Sequence, residues 1–173
     1  MLVSEALRNR SLGFDMKKKA SLVVTLLAVI LLAGVAVAGE TGINGKCVKV
    51  IDGDTLVVKC DESRRTVEID GIDAPELDQP WGKEVRSFVK SMVQGRQVEI
   101  EVIEGGDDTV RARVFIDGVD LAEMLASRGL AWVPEDGADG ELLSVSKSAR
   151  DLPCGLWMDA DPVPPWEFRE SRS

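Results

Sequence analysis

Apolar and β-branched residues alternate in short runs through the middle of the chain, and helical spacing takes over between and after them. The pattern predicts strands over 47–51 and 55–60 on either side of Asp52-Gly53, a dipeptide that favours a tight hairpin turn. A third strand over 66–72 places Val67 and Ile69 on one face and Thr66, Glu68 and Asp70 on the other. Residues 81–93 then switch to a period of 3.6. Val85, Phe88, Val89, Met92 and Val93 fall on one helical face, and Gly95 supplies the stop. Alternation returns over 97–103 and 110–116, the latter closed by Asp117-Gly118. Asp120, with Glu123 three residues on, opens a short helix over 121–128 that ends at Gly129. A last helix covers 141–150 and stops before Pro153. The Pro-rich tail from Asp159 carries Trp166 and Phe168 and is expected to pack on the body. Three strands, a helix and two strands is the order of a five-stranded OB-type Greek-key barrel. The expected fold class is therefore mainly β with helices (α+β), with about three helices.

The first 38 residues stand apart from this pattern. Met16-Lys17-Lys18-Lys19 is followed by an apolar run over 22–35 and by Ala36-Val37-Ala38, the layout of a signal peptide cleaved to leave Gly39 first. Residues 1–15 add nothing to it, and residues 39–173 form the expected domain. The alternative is a membrane anchor, because residues 20–38 are nearly long enough to span. Cleavage implies export to the periplasm or the extracellular space, and no membrane anchor afterwards.

Charge and composition narrow the chemistry. Residues 1–38 hold 5 basic and 2 acidic side chains, which leaves 16 basic and 28 acidic residues and a net charge of −12 for the rest. That balance opposes tight binding to a long polyanion, for which Lys and Arg supply most of the affinity. The chain has no histidine, so imidazole-based zinc sites, Ser-His-Asp triads and histidine acid–base catalysis are excluded. Tyrosine is also absent. Cys47 and Cys60 lie on opposite arms of the first hairpin, so either they form a disulfide and leave Cys154 over, or all three are small thiols.

Two acid-rich turns hold the candidate chemistry. Asp54 follows the first hairpin turn, and Asp73 and Glu76 follow the third strand in Gly71-Ile72-Asp73-Ala74-Pro75-Glu76. Singly these are ordinary turn acids. Together they are an oxygen-only set of the kind that holds calcium or magnesium. Glu68, Asp70, Asp107 and Asp108 read as solvated acids, and Trp132, Trp157 and Trp166 as packing residues.

The chain resembles the staphylococcal nuclease-like (thermonuclease) family from about Cys47 to Arg169. The resemblance rests on Val50-Ile51-Asp52-Gly53-Asp54-Thr55-Leu56, the Gly71 to Glu76 segment, Gln79-Pro80-Trp81-Gly82-Lys83-Glu84, Ala112 to Leu121, Gly129-Leu130-Ala131-Trp132, Gly155-Leu156-Trp157 and Pro165-Trp166-Glu167-Phe168-Arg169. Each piece is weak, but their order and spacing together are specific. The resemblance implies calcium-dependent hydrolysis of DNA and RNA phosphodiesters. It implies Asp54, Asp73 and the backbone carbonyl of Ala74 as Ca2+ ligands, and Glu76 as the residue that orients or deprotonates the attacking water.

The family pattern also has two arginines that clamp the phosphate, and here it departs. The position five residues before Asp73 is Glu68, and the second falls at Thr109, with Arg111 two residues further on the same strand face. Arg111 replaces the missing clamp only if the preceding loop is shifted. The nucleotide-holding tyrosines and lysines of the family have no counterparts. Two expectations follow. One is an exported, monomeric, calcium-dependent nuclease of reduced activity that binds its nucleic acid substrate weakly. The other is a non-catalytic OB-type binding module that keeps an acidic metal pocket.

Overall fold

The computed structural model describes residues 42–136 and 139–172. The expected signal peptide and its cleavage point lie outside the described residues. Three strands open the fold: β1 (Ile43–Val50), β2 (Thr55–Cys60) and β3 (Ser63–Ile69). Helix α1 (Gly82–Val93) precedes β4 (Gln97–Gly105) and β5 (Thr109–Ile116). A two-residue β6 (Val119–Asp120) leads into α2 (Leu121–Ser127), α3 (Gly140–Arg150), a 3₁₀ turn (Gly155–Met158) and α4 (Pro165–Glu170).

The sheet runs β3-β2-β1-β4-β5-β6, and a parallel pairing of β3 with β5 closes the first five strands into a barrel. Closure removes the exposed edges an open sheet would leave. Alternation along each strand sends Leu56, Val58, Val67, Ile100 and Val114 inward, all fully buried. Helix α1 adds its Val85, Val89 and Val93 stripe to the same core, with Phe88 and Met92 packed at its margin. The sixth strand and the fourth helix extend the expected order. Strand β6 is two residues joined to β5 through Asp117-Gly118, both at positive φ, and is too short to leave a periodic signal.

Strand β3 is displaced from its expected span. It starts at Ser63, where Asp61 at φ 51° turns the chain back onto Cys60, and ends at Ile69 before Gly71 at φ 80°. The polar run Ser63-Arg64-Arg65 carries no apolar alternation, so pairing with β2 rather than hydrophobicity makes it a strand. The disulfide alternative is overturned. Cys47 pairs with Val58, not Cys60, the Cys60 sulfur lies over Gly45, and all three cysteines are free. A register slip beyond Cys47 makes equal distance from the turn a poor guide to partnership.

The tail packs as expected. Trp166 meets Trp132 edge-on at 5.7 Å, and Trp157 meets the same ring at 4.7 Å. The buried Gln79 amide donates to the Val163 carbonyl at 2.7 Å, and the Trp81 indole donates to Asp159 at 3.0 Å. These contacts hold α4 against the segment that carries Asp73 and Glu76.

Candidate functional site

One cleft of about 450 Å³ opens where the turn after β1, the end of β3 and the segment after it converge. Its wall contains Asp54, Asp73, Ala74, Glu76 and Arg111 together, so the residues singled out in the sequence share one place. Asp52 fixes the first turn by accepting the backbone N–H groups of Asp54 and Thr55. Asp54 in turn accepts the Thr55 hydroxyl at 3.2 Å and the Ala74 N–H at 2.6 Å. The second bond ties the two acid turns together across 20 positions of sequence. Gly53 is required there, because a Cβ on it would lie 2.5 Å from that of Ala74.

Asp73 is held by its backbone, which exchanges two 2.9 Å hydrogen bonds with Trp132. Glu76 is aimed by a local loop. Its N–H donates to the Gln79 side chain, its carbonyl accepts the Gln79 N–H, and Gly82 passes so close that a Cβ would fall 1.8 Å from that carbonyl.

A further cation enters from the far end of the chain. Arg169 on α4 bonds both Asp73 oxygens, at 3.1 and 2.8 Å, and Glu76 at 2.8 Å. These bonds, first to Asp73 and then to Glu76, raise its already high pKa, so it is charged throughout the working range. Asp54 has no basic partner among the described residues. Burial foremost, with Asp52 and Asp73 adding repulsion, pushes its carboxyl up to about 7 against the pull of the Ala74 N–H.

The donor set fits a hard cation. Asp54 is a half-buried carboxylate short of positive charge, beside two more carboxylates whose oxygens a guanidinium occupies. Among the described residues no three carboxylate or thiol groups already form a metal-ligand cluster. Arg169 holds the oxygens that such a cluster would use.

The other positive charge in the wall is compromised. Arg111 pairs with Asp70 at 2.9 Å and Glu104 at 3.1 Å, and the β3–β5 register sets it opposite Glu68. Thr109 sits opposite Thr66, two positions further from the cleft, so Arg111 rather than Thr109 reaches it.

Comparison with known proteins agrees with this architecture. The profile for staphylococcal nuclease homologues matches residues 66–159. The chain belongs to that family. It is 36% identical over 135 residues to an Escherichia coli protein named "Uncharacterized endonuclease", covering 75% of this chain and 87% of the relative. It is 30% identical over 171 residues to the Escherichia coli "Protein ParB", covering 89% and 94%. It is 27% identical over 165 residues to the "Micrococcal nuclease" of Shigella flexneri, covering 88% and 94%. Within this nuclease-homologue fold, Arg169 is the site residue that sequence reasoning missed. It stands inside the Pro165 to Arg169 motif, but 93 positions separate it from Glu76, and only docking of α4 reveals the pairing.

Proposed function

We infer that this protein is a nuclease that hydrolyses phosphodiester bonds of DNA or RNA, with Arg169 supplying positive charge that Glu68 and Thr109 do not. The observation that carries the reading is the joining of Asp54, Asp73 and Glu76 in one cleft, with a guanidinium on two of them. Nuclease names among the relatives support it. The cofactor this donor set fits is calcium, which Asp54 and Asp73 would hold with the Ala74 carbonyl. When bound it polarises a phosphoryl oxygen and neutralises charge.

The chain's own groups do the rest. Glu76 orients a water toward phosphorus and accepts its proton as one P–O ester bond breaks. Its loop holds it for that task through Gln79. Arg169, whose planar fork matches two oxygens, moves from the carboxylates to the phosphate and stabilises the charge that develops there. Arg111 lines the wall but spends its donors on Asp70 and Glu104. Its role is therefore secondary. Export places this activity in the periplasm or outside the cell.

The second reading, a binding module without catalysis, is favoured by the acids around Arg111. Digestion of single-stranded DNA and RNA by the purified mature chain, with calcium or with chelator, separates the two. Calcium-dependent cleavage lost in Glu76→Gln is the expected result. Calcium binding without cleavage of either substrate gives the site to the binding module.

A further inference from the structure

The outer face of β1, β2 and β3 carries positive charge that the cleft chemistry does not use. The register sets Lys46 directly opposite Lys59, and Lys59 directly opposite Arg64, so three exposed cations stand side by side across three strands. The next row on this face is Lys49, Val57 and Thr66, and the row after it pairs Thr55 with Glu68, both in the cleft wall. Same-face rows advance by two residues, about 7 Å each, so the cations lead down the sheet toward the cleft in steps of nucleotide size.

Like charges directly opposite each other destabilise a sheet. Elsewhere Arg96, Arg113 and Arg172 are matched with Asp117, Asp120 and Asp78, and Arg128 and Arg150 lie over aromatic rings. Lys46, Lys49, Lys59 and Arg64 make no ion pair among the described residues. Four unpaired cations on one face of a chain with a net charge of −12 beyond residue 38 are a segregated charge, complementary to a polyanion that enters the cleft at one end.

We propose that this face is a backbone-binding track for single-stranded nucleic acid, engaging the phosphates a few nucleotides from the bond that is cut. The proposal rests on the nuclease reading of the cleft. A single strand fits better than a duplex, which carries about one charge per 1.7 Å of axis, twice the density of one strand, and would press more phosphate against the acidic rim. Val57, Thr55 and Thr66 give the bases no aromatic platform, so the track is indifferent to sequence.

The test is binding of a fluorescent oligothymidylate of about 12 nucleotides, within the usual span of such sites, to the mature chain in chelator, read by anisotropy across a salt series. The triple variant Lys46→Gln, Lys59→Gln, Arg64→Gln should bind at least about tenfold more weakly, and the log–log salt slope should fall by about 2, at roughly 0.7 per lost phosphate contact. Lys90→Gln with Lys147→Gln, on the exposed sides of α1 and α3, should change neither. In calcium, the triple variant should raise KM for the long oligonucleotide and leave cleavage of a mononucleotide phosphodiester unchanged. Unaltered binding and slope in the triple variant overturn the proposal, as does wild-type binding of duplex or anionic vesicles equal to that of the single strand. If the wild type cleaves neither substrate, the nuclease reading fails, and the binding arm still decides the track.

Discussion

Replacing Arg169 with Gln should move stability, calcium affinity and cleavage rate in a pattern that no merely structural arginine would give. The wild-type guanidinium makes three bonds to Asp73 and Glu76, with its side chain half exposed at 50%. Exposed ion pairs contribute about 0.2–1 kcal/mol each, so two pairs with bidentate geometry amount to about 1–2 kcal/mol. Without calcium the variant should lose that amount, a fall in Tm of about 3–6 °C for a domain of this size. With calcium the sign reverses. A cation entering the cleft must displace Arg169 from the oxygens it holds, so removing the competitor should tighten calcium binding by about 5- to 30-fold, the same 1–2 kcal/mol expressed as an equilibrium. Cleavage should move the other way, since loss of one donor to the transition-state charge costs about 10²–10³ in rate. Calorimetric titration of calcium and single-turnover digestion at saturating calcium read the two effects separately. Arg169→Lys should recover part of the stability and little of the rate, because an ammonium lacks the fork. Calcium binding that weakens in Arg169→Gln would refute the competition, and an unchanged rate would refute the transfer to phosphate.

Asp54→Asn should stabilise the calcium-free protein at neutral pH. Burial pushes the folded carboxyl up to about 7 from the ordinary 3.8, so between these values the folded state keeps a proton that the unfolded state has lost. Its stability contribution is therefore intact below about pH 4 and declines as pH rises toward 7. About three pK units would be about 4 kcal/mol, and partial exposure to the cleft lowers this to about 2–3 kcal/mol. Urea melts in chelator should show the variant ahead at pH 7.5 and level with the wild type below pH 4. Gly82→Ala drives a Cβ into the Glu76 carbonyl and should cost about 1–3 kcal/mol together with most of the activity; a fully active, equally stable variant would show that the Glu76 loop is free to relax. Thiol titration of the denatured, unreduced chain should find three free cysteines, with Cys154 alkylated before the buried Cys47 in the native state; one thiol would mean that a disulfide had formed.

The barrel was legible because its strands obey short-range rules. The Asp52-Gly53 turn, the Val85 to Val93 stripe and the Asp120 cap each announce an element within a few residues. The acid cluster was legible for a related reason, since Asp54 lies in the turn between β1 and β2 and Asp73 and Glu76 lie in the segment after β3, and strand pairing brings both to one end of the barrel. What sequence could not show are features set by register and by docking. Nothing local distinguishes Ser63-Arg64-Arg65 from a loop until β2 pairs with it. The separation of Cys47 from Cys60 is set by the ladder register, in which Cys47 faces Val58 and Cys60 faces Ser63. Arg169 is an ordinary exposed arginine on a six-residue helix until Trp166 seats that helix on Trp132.

That docking changes what the substitution of Glu68 and Thr109 means. A cleft that gathers Asp54, Asp73 and Glu76 needs positive charge for the fold to tolerate it before any substrate arrives. In a barrel whose strands supplied both arginines, that charge would be fixed by the sheet. Here the strand positions are acidic or neutral, and the guanidinium comes from a tail helix joined to the site by two routes, through its own bonds to Asp73 and Glu76 and through Trp166 on Trp132, whose backbone pairs with Asp73. Seating of α4 and the charge state of the cleft are therefore one equilibrium. A change that loosens Trp166 from Trp132 removes Arg169 from the acids as surely as deleting it, so Trp166→Ala should reproduce the loss of stability and the tighter calcium binding of Arg169→Gln without touching a cleft residue. A Trp166→Ala protein with wild-type calcium affinity would show that Arg169 finds the carboxylates without the tail's aromatic anchor.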